Sequence, residues 1–532
     1  MDNKSRIVAV IEIGSTGIRL LVAEIFPGGR VFGNGRDTSS QKIAETEREG
    51  WREVDRAGKP VTLGWDVFTT GEISRESFLE CLSVLQNFRE LLEGWEIAPE
   101  HIHVIATSAL RVARNRDIFA DRVKQETGFT LLIVEGIEEN RLMYLAVRFA
   151  LKQDLPIFWR ANSIIIEVGG GSTELMLLRR GKMVAAHSLR LGTIMIDRQF
   201  HRNPGIGYSQ GRFMRENIRN TMGFLNTEMD FAHVRTFVAL GSEARIAAAL
   251  IGTELNEYSR IINRDDFIAF AEKVENYGIE ECVQRFHISY EEMEGFVSGM
   301  LVYKLLLEQT NGAKVVVPLV SIREGFLLDL AMGVESELLE EFYSQIIAGA
   351  VNLGRRYHFD EAHSLQVAKF CMRLFDALIR EHGMNRRERM MLETAAILHD
   401  IGMYIKSSGH HLHSQYIVAN SEVFGLRREE LAIIANVIRY HRGPPPQDGD
   451  IDYIALQREE RILVLKMVSI LRVADALDRG HSQNIRGFTV EKRGENLVLQ
   501  LQGIHDISLE LIGLEEKAGM FQDVFGYKVV LN

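Results

Sequence analysis

The chain has 532 residues, enough at about 150 per domain for three or four domains. Hydrophobic residues make up 46% and charged residues 25%, which excludes a mostly disordered, collagenous or coiled-coil chain. Lys and Arg number 62 against 73 Asp and Glu, a net charge of −11. That balance argues against a nucleic-acid partner and leaves room for an anionic substrate at a locally positive site.

The chain opens as strand, tight turn, strand. Ile7–Ile13 is β-branched and apolar, Gly14-Ser15-Thr16-Gly17 is the turn, and Ile18–Ile25 resumes the pattern. A helix is expected over Ser74–Leu92, a strand over His101–Ala106, a helix over Asn115–Thr127 and a strand over Leu131–Glu135. The opening then repeats. Ser163–Val168 is a strand, Gly169-Gly170-Gly171-Ser172-Thr173 the turn, and Glu174–Leu178 the return, a weak internal duplication about 150 residues on. From Glu335 to Arg479 the period is helical, with scattered histidines and a loop at Pro444-Pro445-Pro446. The end alternates again at Phe488–Val490, Leu497–Leu501, Ile507–Leu511 and Tyr527–Leu531, which reads as a small β unit.

The three cysteines, Cys81, Cys282 and Cys371, are far apart and form no C-x-x-C, so neither a disulfide framework nor a cysteine zinc site is expected. The N-terminus lacks a signal-peptide apolar region, and no run reaches the length of a membrane span. A soluble, cytoplasmic protein without membrane contact is expected.

Consecutive amides in a glycine-rich turn make a concave anion site. Here each turn also carries hydroxyls and follows an acid, Glu12 or Glu167. Two such cradles facing each other would hold a phosphoryl group and a divalent cation. Either turn alone reads better as a plain hairpin; the pair with matched acids favours the phosphate reading. Arg114, Arg116, Arg179, Arg180 and Lys182 are candidate approach residues for a polyanion, or simply solvated cations.

The segments VIEIGSTGIRLLVAEI and IIIEVGGGSTELML resemble the two phosphate loops of the exopolyphosphatase/guanosine pentaphosphate phosphatase family, in the actin-like ATPase superfamily. HVIATSALRVARN, VEGIEENRLMYLAV, HSLRLGTIMIDRQF and REGFLLDLA match it in kind and order. The resemblance implies an α/β fold. Two actin-like (ribonuclease H-like) domains, 1–135 and 136–333, precede an all-α HD-type domain, 334–485, and a β-rich unit, 486–532. By position, Glu139 falls on the family's catalytic glutamate, expected to orient and deprotonate the attacking water. Arg111 falls on its phosphate-binding arginine. Gly14, Ser15, Thr16, Gly169, Gly170, Gly171, Ser172 and Thr173 would bind phosphate, and Glu12, Glu167 and Glu174 would hold Mg²⁺. The family usually has aspartate where Glu12 and Glu167 stand, and each glutamate reaches about 1.5 Å further. Leu240-Gly241-Ser242-Glu243-Ala244-Arg245 replaces a small Gly-Ser-Gly-Thr-like loop.

His399-Asp400 ends an apolar helix, with His363 upstream and Asp475 downstream. This set resembles the ligand set of HD phosphohydrolases, which implies a divalent transition metal (Mn, Fe, Co, Ni or Zn). His410, His411, His413 and His441 could add a second metal or contact phosphate. The leading expectation is a phosphoanhydride hydrolase that releases orthophosphate from inorganic polyphosphate or guanosine pentaphosphate, acting as a homodimer. The alternative is an HD-type nucleotide phosphohydrolase whose actin-like half senses polyphosphate or an alarmone. A regulatory binding protein with both sites silent is the third reading.

Overall fold

A computed structural model describes residues 5–26, 51–151, 160–189, 191–201, 215–216, 219–220, 231–293, 295–332, 337–447, 449–502 and 507–532. The chain forms two compact units, Met1–Glu341 and Phe342–Asn532. No helix among the described residues is long and apolar enough to cross a membrane.

The first sheet of the first unit contains β1 (Arg6–Ile13), β2 (Gly17–Ile25), β3 (Trp51–Pro60), β4 (Ile102–Ala106) and β5 (Leu131–Ile133), in the order β3-β2-β1-β4-β5. β1 runs antiparallel to β2 and parallel to β4. Ala9, Ile11 and Ile13 enter one core while Val8 and Val10 enter another. Both faces of β1 are therefore covered, which is why its sequence is apolar without a break. The helices Arg75–Gly94 and Arg116–Thr127 cover one face, and Gly136–Ala150 with Ile322–Met332 cover the other.

The second sheet contains β6 (Asn162–Val168), β7 (Thr173–Arg179), β8 (Lys182–Leu189), β9 (Val234–Leu240), β10 (Thr253–Asn256), β11 (Ser259–Asn263) and β12 (Lys314–Pro318). Its order is β10-β11-β12-β9-β6-β7-β8. Five of these, β8-β7-β6-β9-β12, repeat the order and strand directions of the first sheet. The duplication suggested by the two glycine turns thus extends over whole sheets. Gly325 sits where the helix Ile322–Met332 crosses Gly136–Ala150, and a Cβ there would run into the Leu142 carbonyl. That close crossing fixes the helix bearing Arg323 against the helix bearing Glu139.

The second unit is a helical body made chiefly of Glu361–Ala377, Arg386–Leu398, His410–Ala419, Arg428–Arg439 and Arg458–Ala476. Its small sheet joins β13 (Gly487–Arg493), β14 (Asn496–Gln502) and β15 (Lys528–Leu531). The expected strand at Ile507–Leu511 is instead the start of a helix, Ser508–Lys517, followed by Gly519–Phe525. The buried positions there are Glu510, Gly513, Leu514 and Lys517, while Leu509, Leu511 and Ile512 are exposed. The helix spacing is carried mostly by polar residues and glycine, so the outward apolar residues mimic strand alternation.

Candidate active site and metal centre

The two glycine turns close in the same way. The Gly14 amide donates to the Gly17 carbonyl at 2.9 Å, and the Gly169 amide to the Ser172 carbonyl at 2.8 Å. Gly14, Ser15, Thr16, Gly169, Gly170 and Ser172 line a cavity of about 70 Å³. Gly171 and Thr173 do not line it. A Cβ on Gly171 would collide with the Phe68 ring, and the Thr173 hydroxyl is spent on the Leu191 carbonyl at 2.6 Å. These two residues shape the turn and lie outside the cavity lining.

Glu12, Glu139, Glu167 and Glu174 all face this cavity. Glu139 lies in the first turn of the helix Gly136–Ala150. Arg111 Nη1 donates to Glu139 Oε2 at 2.9 Å and to the Val134 carbonyl at 2.8 Å, and its Nη2 lies 3.9 Å from Glu174 Oε1. Burial raises the Glu139 carboxyl above the usual carboxylate range, with Arg111 pulling the other way. Burial, then the charges of Glu139 and Glu12, push Glu167 up to about 8. Burial and Glu139 push Glu174 up to about 8 as well, although Ser188 and Ser172 donate to its Oε1 at 2.7 and 2.9 Å. Glu12 differs, being paired with Arg323 at 3.2 Å and Arg19 at 4.0 Å.

These carboxylates are hard oxygen donors of the type Mg²⁺ takes. Among the described residues they do not gather tightly enough to enclose an ion by themselves. Mg²⁺ is commonly held by one or two carboxylates with water and substrate phosphate, so the donor set suits it.

The altered loop begins at Gly241, whose φ of 106° places it where a side chain would be strained. Ser242 and Glu243 start the helix Ser242–Ile251, and the Ser242 hydroxyl donates to Glu243 Oε2 at 3.0 Å. Glu243 is buried at the cavity wall, and burial raises its carboxyl pKa.

In the second unit His363, His399, Asp400 and Asp475 converge, joined by His410 and His441. His399 Nε2 lies 3.6 Å from Asp400 Oδ1 and 3.9 Å from Asp475 Oδ1. His363 Nε2 lies 3.6 Å from Asp475 Oδ1. Asp400 Oδ1 is also 2.9 Å from His410 Nε2 and 3.4 Å from His441 Nε2. Each imidazole is oriented through its other nitrogen. Nδ1 of His399, His410 and His441 bonds the carbonyls of Ala396, Ser407 and Ile438, and Nδ1 of His363 bonds Asp478 at 2.8 Å. The Nε2 atoms of His363 and His399 are buried without a hydrogen-bond partner. Outer contacts that aim free imidazole nitrogens at a cluster of carboxylates are what a metal centre requires. Burial holds His399 down at about 4, neutral and ready to ligate. Burial opposes the charge on His363, but Asp475 and Asp478 push it up to about 10. Lys517 forms an ion pair with Asp475 Oδ2.

A model of the Ppx/GppA phosphatase family matches residues 43–333, more than half of the chain. The chain belongs to the Ppx/GppA phosphatase family. A second model, Ppx/GppA phosphatase domain III, matches residues 347–516. The guanosine-5'-triphosphate,3'-diphosphate pyrophosphatase of Pseudoalteromonas translucida is 21% identical over 99% of each chain. Its namesake in Aliivibrio fischeri is 23% identical over 94% of this chain and 92% of its own. The crystal structure of an exopolyphosphatase from Cytophaga hutchinsonii has a TM-score of 0.52 at 18% identity, covering 62% of this chain and 99% of that one, a likeness of fold.

In this Ppx/GppA chain the cavity gathers Glu12, Glu139, Glu167 and Glu174, and Arg111, outside the cavity lining, is bonded to Glu139. Arg111 and Glu139, which carry separate roles by position in the motifs, are bonded to each other. The motifs assigned no role to Arg19 or Arg323, the two partners of Glu12. A signal was available in both cases. Arg19 sits opposite Glu12 in the hairpin register, and Arg323 belongs to the REG segment that resembles the family.

Proposed function

We propose that this chain is a phosphoanhydride hydrolase. It releases orthophosphate from the end of inorganic polyphosphate or from guanosine pentaphosphate, in the cleft formed by domains 1–135 and 136–333. The observation that carries this reading is the Arg111–Glu139 pair beside two matched glycine turns. The turn amides and the hydroxyls of Ser15, Thr16 and Ser172 take the oxygens of the terminal phosphoryl group. Glu139 accepts a proton from the attacking water, whose oxygen bonds the terminal phosphorus as the anhydride P–O bond breaks. Its raised pKa makes it a stronger base than an ordinary carboxylate. Arg111 holds that carboxylate in place and offers charge to the phosphoryl oxygens. Mg²⁺ held by Glu12, Glu167 or Glu174 would neutralise phosphate charge. Orthophosphate release with wild type and Glu139→Gln tests the reading, which fails if wild type releases none or the variant keeps full activity.

A second site is favoured by the orphaned Nε2 atoms of His363 and His399. We infer that His363, His399, Asp400 and Asp475 hold a divalent transition metal, with His410 and His441 adjoining. Such an ion supplies a hydroxide near neutral pH when bound. Metal analysis of the purified protein tests this, with His399→Ala as the empty control.

A further inference from the structure

A second cavity of about 500 Å³ adjoins the first in the same unit, and the two share Thr16, Arg19, Ser242, Glu243 and Arg245. Cations dominate its lining. Arg19, Arg56, Lys59, Arg245 and Arg323 face it, against one carboxyl, Glu243. Three of these charges are already answered, Arg19 by Glu12 at 4.0 Å. Arg56 pairs with Glu324 at 2.6 Å and Glu53 at 2.8 Å, and Arg323 pairs with Glu12 at 3.2 Å. Among the described residues Lys59 and Arg245 have no ion-pair partner, and Arg245 has only a 3.4 Å hydrogen bond to the Val320 carbonyl.

The fold brings these two cations to the cavity from different elements. Lys59 pairs in register with Ile18, one step past the first glycine turn, so β3 carries its charge alongside the turn. Arg245 is in the first turn of the helix Ser242–Ile251, with Ala249 one helical turn further on and exposed. An anion whose end sits between the turns meets the positive charge of this lining as it leaves the first cavity.

We propose that this second cavity binds the phosphate groups behind the scissile end of an inorganic polyphosphate chain, with Lys59 and Arg245 as its principal cations. The inference rests on the cleft reading for which end is cut. The ligand class follows from the charge surplus and from continuity with the turns. A chain with one negative charge on each internal phosphate suits a cavity lined by five cations and one carboxyl better than a short anion does. None of the cations singled out from sequence, Arg114, Arg116, Arg179, Arg180 and Lys182, lines it.

The test compares long-chain polyphosphate with tripolyphosphate for wild type, Lys59→Glu and Ala249→Glu. Lys124→Glu, exposed on the helix Arg116–Thr127, serves as the charge control. The ratio of kcat/KM for long chain over tripolyphosphate should fall roughly tenfold in Lys59→Glu and Ala249→Glu, through KM, and stay put in Lys124→Glu. A ratio within about twofold of wild type in both pocket variants, or an equal fall in the control, overturns the proposal. If wild type hydrolyses neither substrate, the cleft reading fails and equilibrium binding decides the pocket. Long-chain polyphosphate should then bind Lys59→Glu roughly tenfold more weakly than wild type at low salt, with the gap closing at high salt. Equal affinity would refute the site.

Discussion

The two glycine hairpins of the first unit share a backbone and differ in charge. In each, an acid one residue before the strand end faces a residue seven positions later: Glu12 opposite Arg19, and Glu167 opposite Glu174. In the first hairpin the acid is neutralised by Arg19 and Arg323. In the second, two carboxyls face each other and both are pushed up to about 8. Duplicated geometry has therefore been given complementary electrostatics. One hairpin offers cations to an anionic substrate, and the other keeps a deficit of positive charge that a proton or a divalent ion can fill. The extra length of the glutamates fits this division, since Glu12 reaches a buried arginine on the helix Ile322–Met332.

The sharpest way to break the comparison is at its centre. Glu139→Gln should lower kcat for orthophosphate release about 10²–10⁴-fold while KM moves little, as expected for loss of a general base. Next in size, His399→Ala with Asp400→Ala should empty the second unit of transition metal, measured by elemental analysis, leaving well under half the wild-type content. The pH dependence of stability separates the hairpins. Glu167 and Glu174 have folded pKa values near 8 against an ordinary 4.5, so their stabilising contribution is complete below about pH 4.5 and lost as pH rises through 8. Thermal melts without added metal should fall between pH 5 and 9. Glu174→Gln should flatten that fall, gaining on the order of 5 °C at pH 9, whereas Glu24→Gln, half-buried on β2 and paired with Arg52, should not. The smallest effect is expected for Arg19→Ala, a few-fold rise in KM with kcat nearly constant, since Arg323 still faces Glu12.

Much of this architecture was legible because covered sheets write themselves as apolar runs. β1, β2, β6 and β7 follow from those runs and from glycine turns between them. β3 was missed because its exposed positions carry Arg52, Glu53, Arg56 and Lys59, which read as loop. The helix Ser508–Lys517 was misread because its inward face carries Glu510 and Lys517. The site was legible as a set of residues but not as a set of contacts. Arg111 and Glu139 meet because β4 and β5 are parallel neighbours, pairing Ala106 with Ile133, and each residue follows its strand end by five or six positions. Sequence spacing alone does not say which strands are neighbours, so the pairing needed the sheet order.

The ion pair between Lys517 and Asp475 makes the end of the chain an internal counterion for the histidine cluster. A lysine on the last long helix supplies charge beside a carboxylate that a metal would otherwise have to balance alone. The second unit therefore balances that carboxylate with a charge of its own. Shortening the chain ahead of Ser508 would remove that charge as well as a helix, and a change made far along the sequence would be felt at His363 and His399.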